Sequence, residues 1–151
     1  MLDAIKSFVA QAKQFLDFVD SCNALPLNER LQKLSVLLAG LYLAAINLPD
    51  VEPTDSDLDF VVQNPKISFE DVDGYWEVFD PYEQEEPLMA SLADDITDIY
   101  TDIKKRFSIY ERGTEADVVD AVWHWRFDFE SHWGFHLVDA LRAIHWAIQR
   151  T

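Results

Sequence analysis

All four histidines of the chain, His124, His132, His136 and His145, fall in its last segment. From Thr114 to about Gln149 that segment has helical apolar spacing. At about 100° per residue, Val118, Val122, Trp125, Phe129, Ala140, Ala143 and Ala147 form one stripe. His136 lies near its centre, with His132 about 40° to one side. Asp128, His132 and His136 are successive i, i+4 neighbours, and Asp139 is i+3 from His136. Two imidazoles one turn apart can reach the same metal ion. With carboxylates beside them the donor set suits zinc, manganese or iron.

A second ridge faces them. Asp95, Asp98 and Asp102 lie on one flank of a helix predicted from about Leu88 or Ser91 to Tyr110. The link at Glu111–Thr114 is short, so the two helices are expected to be antiparallel neighbours. Counting back from the turn sets Asp102 level with His124, Asp98 with Asp128 and Asp95 near His132. The candidate metal ligands are therefore Asp95, Asp98, Asp128, His132, His136 and Asp139. The same groups can also form plain interhelical hydrogen bonds. The Glu-x-x-His signature of di-iron bundles is absent, because Trp133 stands three residues after Glu130. Asp94, Asp95 and Asp98 also spell DDxxD, a magnesium–diphosphate pattern. The chain is about half the length such enzymes need, and it lacks a basic phosphate cluster. Four scattered glycines exclude a glycine-rich phosphate loop, and no Ser/His/Asp or Cys/His nucleophile arrangement is legible.

Other elements must hold these ridges in place. Leu2, Ile5, Val9, Phe15, Leu16 and Val19 predict a first amphipathic helix that ends before Pro26. A second runs from Leu27 to Asn47 and stops at Pro49; from Leu34 to Ile46 it is apolar nearly all round. Such a helix is buried on several sides or forms a dimer face. Residues 49–87 lack helical period, yet Phe60, Ile67, Phe69, Tyr75, Trp76 and Phe79 are too apolar to leave in water. An ordered loop pinned to the helices is expected, with a short helix or strand within it. The economical fold is all-α: one domain over residues 1–151, a four-helix bundle with a long ordered acidic loop between helices 2 and 3.

Of 151 residues, 28 are Asp or Glu and 12 are Lys or Arg, for a net charge of −16. The imbalance is local. Between Asp50 and Asp102 stand 17 acidic residues and the single cation Lys66. This charge argues against nucleic acid or an anionic membrane as partner, and it suits a basic protein partner. Lone Cys22 permits no intrachain disulfide and is expected to be a buried hydrophobe. There is no signal-like start and no apolar run long enough to span a bilayer, so a cytoplasmic protein is expected. Tyr75, Trp76, Trp123, Phe127 and Trp133 are candidate interaction residues, either with the loop or with a second copy of the chain.

Residues 75–113 (YWEVFDPYEQEEPLMASLADDITDIYTDIKKRFSIYERG) and 121–145 (AVWHWRFDFESHWGFHLVDALRAIH) are long and specific strings. With LPL at 25–27 and LYLAAINLPDVEP at 41–53, the chain resembles a bacterial family known as domain of unknown function 5063. That resemblance implies a mostly helical bacterial protein and brings no activity. The family's motifs are matched here at Tyr75, Trp76, Asp80, Asp94, Asp95, Asp98, Glu130, His132, Trp133, Gly134, His136 and Asp139. The leading expectation is a non-enzymatic interaction or regulatory module, self-associating or binding a basic partner. The alternative is a metal-binding protein or metalloenzyme that uses the Asp/His cluster.

Overall fold

The apolar spacing of the first fifty residues folds as two helices, α1 (Leu2–Ser21) and α2 (Leu27–Ile46). They belong to a computed structural model that describes residues 1–56 and 58–151. Asp57, one of the acidic residues of the loop, lies outside the described residues. Helix α3 (Leu92–Tyr110) opens at Ser91, whose Oγ accepts from the Asp94 amide at 3.2 Å. Gly113 ends the following turn at φ +83°, a left-handed conformation that glycine adopts without a Cβ penalty. Thr114 then caps α4 (Glu115–Asp128) by accepting from the Asp117 amide at 3.1 Å.

The last helical rod is not uniform. Between α4 and α5 (Gly134–Arg150) the backbone widens into one π turn, Phe129–Trp133. Each residue in such a turn advances the helix by less than 100°. In an unbroken α-helix Trp133 would lie about 80° around from Trp125. The wide turn removes much of that difference, and both indoles are fully buried. Their ring N–H groups are satisfied inside: Trp125 donates to the Ile103 carbonyl at 3.0 Å and Trp133 to the Trp125 carbonyl at 3.2 Å. Trp133 is thus a core residue, which corrects its placing on an interaction surface.

Helix α1 packs on α2 and α3 packs on α4, while α5 packs against both α2 and α3. Phe8 and Phe15 from α1, Leu34, Leu38 and Leu41 from α2, and Ile96, Ile99 and Ile103 from α3 meet Trp125 and Trp133 in one continuous core. Each fully buried side chain of this size contributes about 1.5–3 kcal/mol. Cys22 is buried, and burial raises its thiol pKa, so it behaves as a small hydrophobe. Helix α2 buries one stripe and leaves Val36, Leu43 and Ile46 exposed.

Residues 49–87 are tied down at separate points. Thr54 Oγ1 donates to the buried Asp120 carboxylate at 2.5 Å. Asn23 donates to the Lys66 carbonyl at 2.7 Å and accepts from the Ser68 amide at 3.1 Å. The buried Arg30 guanidinium donates to the backbone carbonyls of Cys22, Asn23, Leu25 and Ser68, which joins the α1–α2 turn to the loop. Phe69 is inserted in the core.

The fold is mostly helical and carries a small sheet, which corrects the all-α expectation. Strands β1 (Gly74–Glu77) and β2 (Leu88–Ser91) pair antiparallel, with Tyr75 opposite Ala90 and Trp76 opposite Met89. Aromatic residues at 75 and 76 fit a pleated, half-buried surface. Asp73 fixes the pair to α3: its carboxylate accepts from Ser91 Oγ at 2.7 Å and from the Ala93 amide at 2.8 Å. Among the described residues no helix is long and apolar enough to cross a membrane.

Candidate metal centre

Asp95, Asp98 and Asp102 follow one another by three and four residues on α3 and so share one face of it. Across from them stand His132, in the π turn, and His136, in the first turn of α5. Asp102 Oδ2 lies 2.6 Å from His132 Nδ1 and Asp95 Oδ1 lies 2.7 Å from His136 Nδ1. Each imidazole is therefore gripped at Nδ1 by its own carboxylate, which leaves Nε2 as the remaining donor atom. Asp98 Oδ2 approaches His136 Nε2 to 3.1 Å. The two rings stand edge to face with centroids 4.8 Å apart. One ligand atom from each of Asp98, His132 and His136 falls within 4.8 Å of the others.

Burial divides the groups by position. The Asp95 side chain is 6% exposed, whereas those of Asp98, His132 and His136 are 40%, 49% and 30% exposed. The cluster thus has a dry back and an open front. Both oxygens of Asp95 are occupied, Oδ1 by His136 and Oδ2 by the hydroxyl of Tyr75. Tyr75 is held within 3.3 Å of Glu77 Oε2 as well. Burial raises the Asp95 pKa, against the hydrogen bonds from His136 and Tyr75, which lower it. The His136 pKa is raised mainly by its bond to Asp95, with Asp98 adding to it and burial opposing. Tyr75 is raised too, by burial and then by Asp95, and stays a neutral donor at any ordinary pH.

Three sequence-predicted ligands, Asp95, Asp128 and Asp139, sit outside the three-atom cluster. Asp139 faces Glu77, and burial followed by that hydrogen-bonded carboxyl pushes it up to about 7. Asp128 has Arg106 at 3.9 Å and the repelling Asp102 nearby; burial is the main cause of its raised pKa. Asp95 touches the cluster from behind. It is buried between His136 and Tyr75, so Asp94, Asp95 and Asp98 do not form the shared magnesium face of a DDxxD motif.

The register also differs from the expected one. Asp102 meets His132 instead of His124, and Asp95 and Asp98 meet His136. Side chains on both antiparallel helices lean toward their own N-termini, so partners meet away from the level of their Cα atoms. The π turn adds a further offset. His124 instead lies 3.7 Å from the buried Asp120, and burial lowers its pKa. Among the interaction candidates, Tyr75 belongs to the back of this cluster. Trp76 is 62% exposed, and Trp123 stacks on the half-exposed Phe127 with rings 8° from parallel. Glu77, which faces Asp139 from the same strand as Tyr75, carries no signal of its own in the sequence, because β1 is only four residues long.

The fold and cluster define a mostly helical protein with an Asp/His cluster between α3 and the last rod. The model of the family described as Domain of unknown function (DUF5063) matches residues 2–149, and the chain belongs to that family. The crystal structure of protein BF1032 from Bacteroides fragilis, a structural genomics target, is similar to this chain with a TM-score of 0.78. Its sequence is 21% identical, and the match covers 94% of this chain and 90% of that one, which shows a shared fold. No curated protein matches the chain.

Proposed function

We propose that the protein binds a divalent transition metal (zinc, manganese or iron) through Asp98, His132 and His136. The scaffold for it is a four-helix bundle with an ordered acidic loop. One observation carries this reading: both imidazoles are held at Nδ1 by carboxylates, Asp102 and Asp95, while Asp98 stands in front. Metal-ligating histidines are oriented in that way by outer carboxylates, which fix the tautomer and raise ligand basicity. Donor atoms in a tetrahedral site with bonds of about 2.0 Å lie roughly 3.3 Å apart. The three ligand atoms now lie within 4.8 Å of one another, so binding requires the half-exposed side chains of Asp98, His132 and His136 to rotate inward. Three protein ligands leave coordination positions open to water, the pattern of catalytic rather than structural sites.

The test is calorimetric titration of chelator-treated protein with zinc and with manganese. Wild-type protein is expected to bind one ion. His132→Ala and His136→Ala are expected to abolish binding while keeping a helical circular dichroism spectrum. Equal binding by wild type and both variants contradicts the assignment.

A second reading, self-association, is favoured by the apolar residues that α2 leaves outside. Val36, Ala39, Leu43 and Ile46 recur at the three-and-four spacing of a helix–helix seam, and all are exposed. Light scattering over a hundredfold concentration range tests it, and a constant monomer mass rejects it.

A further inference from the structure

The β1–β2 pair has two unlike faces. Tyr75 and Glu77 point inward to Asp95 and Asp139, while Trp76 and Met89, directly opposite each other in the register, point out and are 62% and 60% exposed. At the end of the pair, Phe79 and Tyr82 are 80% and 95% exposed. Trp76 and Met89 thus form an exposed apolar pair on the outer face, and the connection adds further exposed aromatic side chains, features of the kind that mark an interaction surface. Around it the charge is of one sign. Asp80, Glu83, Glu85 and Glu86 surround the tip, and no Lys or Arg occurs anywhere between Lys66 and Lys104, a stretch holding twelve Asp and Glu.

Backbone geometry adds a second feature. The sheet has two strands only, and among the described residues neither hydrogen-bonds to a third. Each therefore presents an open edge with unpaired N–H and C=O groups, a template for strand addition. The hairpin is also rigidly based, because Asp73 ties its foot to the start of α3.

From these features we infer that the hairpin of residues 74–91 is a docking site for an extended basic segment of a partner protein. Alternate apolar side chains of that segment would lie on Trp76 and Met89, and its lysines or arginines would meet the acidic tip. The bound segment adds a third strand to the sheet. Apolar contact and backbone pairing fix its register, and the charge supplies attraction that weakens with salt. The outward face of the hairpin contains none of Asp98, His132 and His136, so docking there does not need a metal to be bound.

The probe is a fluorescein-labelled octapeptide of alternating Lys and Leu, with an alternating Glu and Leu peptide as control. Binding is followed by fluorescence anisotropy in the presence of chelator. The Lys-Leu peptide is expected to bind and to weaken as salt rises, and the Glu-Leu peptide is expected not to bind. The outward double substitution Trp76→Ser with Met89→Ser is expected to weaken binding at least about tenfold, a difference of about 1.4 kcal/mol. Neutralising Glu83, Glu85 and Glu86 to Gln is expected to flatten the salt dependence. Unchanged circular dichroism spectra establish that both variants are folded. Absence of Lys-Leu binding, equal binding of the two peptides, or undiminished binding by the double variant overturns the inference.

Discussion

Asp95 is the residue that joins the cluster to the rest of the protein. It is buried, accepts from Tyr75 on one oxygen and faces His136 Nδ1 with the other. A carboxylate in this position orients an imidazole without touching the ion, and losing such a partner typically weakens metal affinity about 10–100-fold. Asp95→Asn is therefore expected to bind zinc about 10–100-fold more weakly than wild type, without the full loss expected for His136→Ala. Competition against a chromophoric chelator measures the difference, and unchanged affinity would remove Asp95 from this role. Asp139 gives a separate pH signature. Its pKa stands at about 7 in the folded protein against an ordinary 3.8, so the folded state holds a proton that the unfolded state releases in that interval. Its stabilising effect is complete below 3.8 and is lost as pH rises through about 7. Asp139→Asn is expected to remove this part of the pH dependence. The gap between the thermal midpoints of variant and wild type should therefore grow, in the variant's favour, from pH 5 to pH 8 in chelator. A gap that shrinks over that range contradicts the protonated Glu77–Asp139 pair. At this scale the sequence was informative. Asp98, His132 and His136 were all legible from spacing, because helical periodicity puts such residues on a common flank. Their pairing was not legible, since it depends on where the side chains lean and on a local widening of the backbone.

Two elements carry what periodicity could not show. The π turn at Phe129–Trp133 has no marker in the apolar pattern apart from Gly134, where a Cβ would run into the Phe129 carbonyl oxygen. That turn buries Trp133 and carries His132. Gly134→Ala forces the two atoms apart and is expected to destabilise the fold by about 1–3 kcal/mol, the usual cost of overpacking. The same change should weaken zinc binding, because His132 and His136 lie on either side of the position. Urea unfolding with and without zinc measures both effects; a variant as stable as wild type would show that the close approach relaxes freely. The hairpin was hidden for another reason. Strands of four residues are too short to show alternation against a background rich in aromatic residues, and Leu88–Ser91 blends into the start of α3. The four long helical segments and their caps at Ser91 and Thr114 were legible, because each depends on local chemistry alone.

For the whole molecule, the acidic stretch and the Asp/His cluster share residues. The acidic stretch from Asp50 to Asp102 supplies Asp95, Asp98 and Asp102 as well as the hairpin tip, so its field attracts cations in general. Binding a divalent ion would relieve repulsion among these carboxylates, and it would displace the proton that Asp95 and Asp98 favour on His136, so affinity is expected to rise with pH. Nonspecific attraction alone would produce weak binding of many ions with no dependence on the histidines. The measurement that separates the two is elemental analysis by inductively coupled plasma mass spectrometry. It should be made on untagged protein purified without chelator, beside the His132→Ala/His136→Ala double variant. Near-stoichiometric zinc, manganese or iron in the wild type, absent from the variant, is the expected result. A blank in the wild type that persists after incubation with each metal and desalting, or equal metal in both proteins, would contradict the assignment of Asp98, His132 and His136 as a metal site.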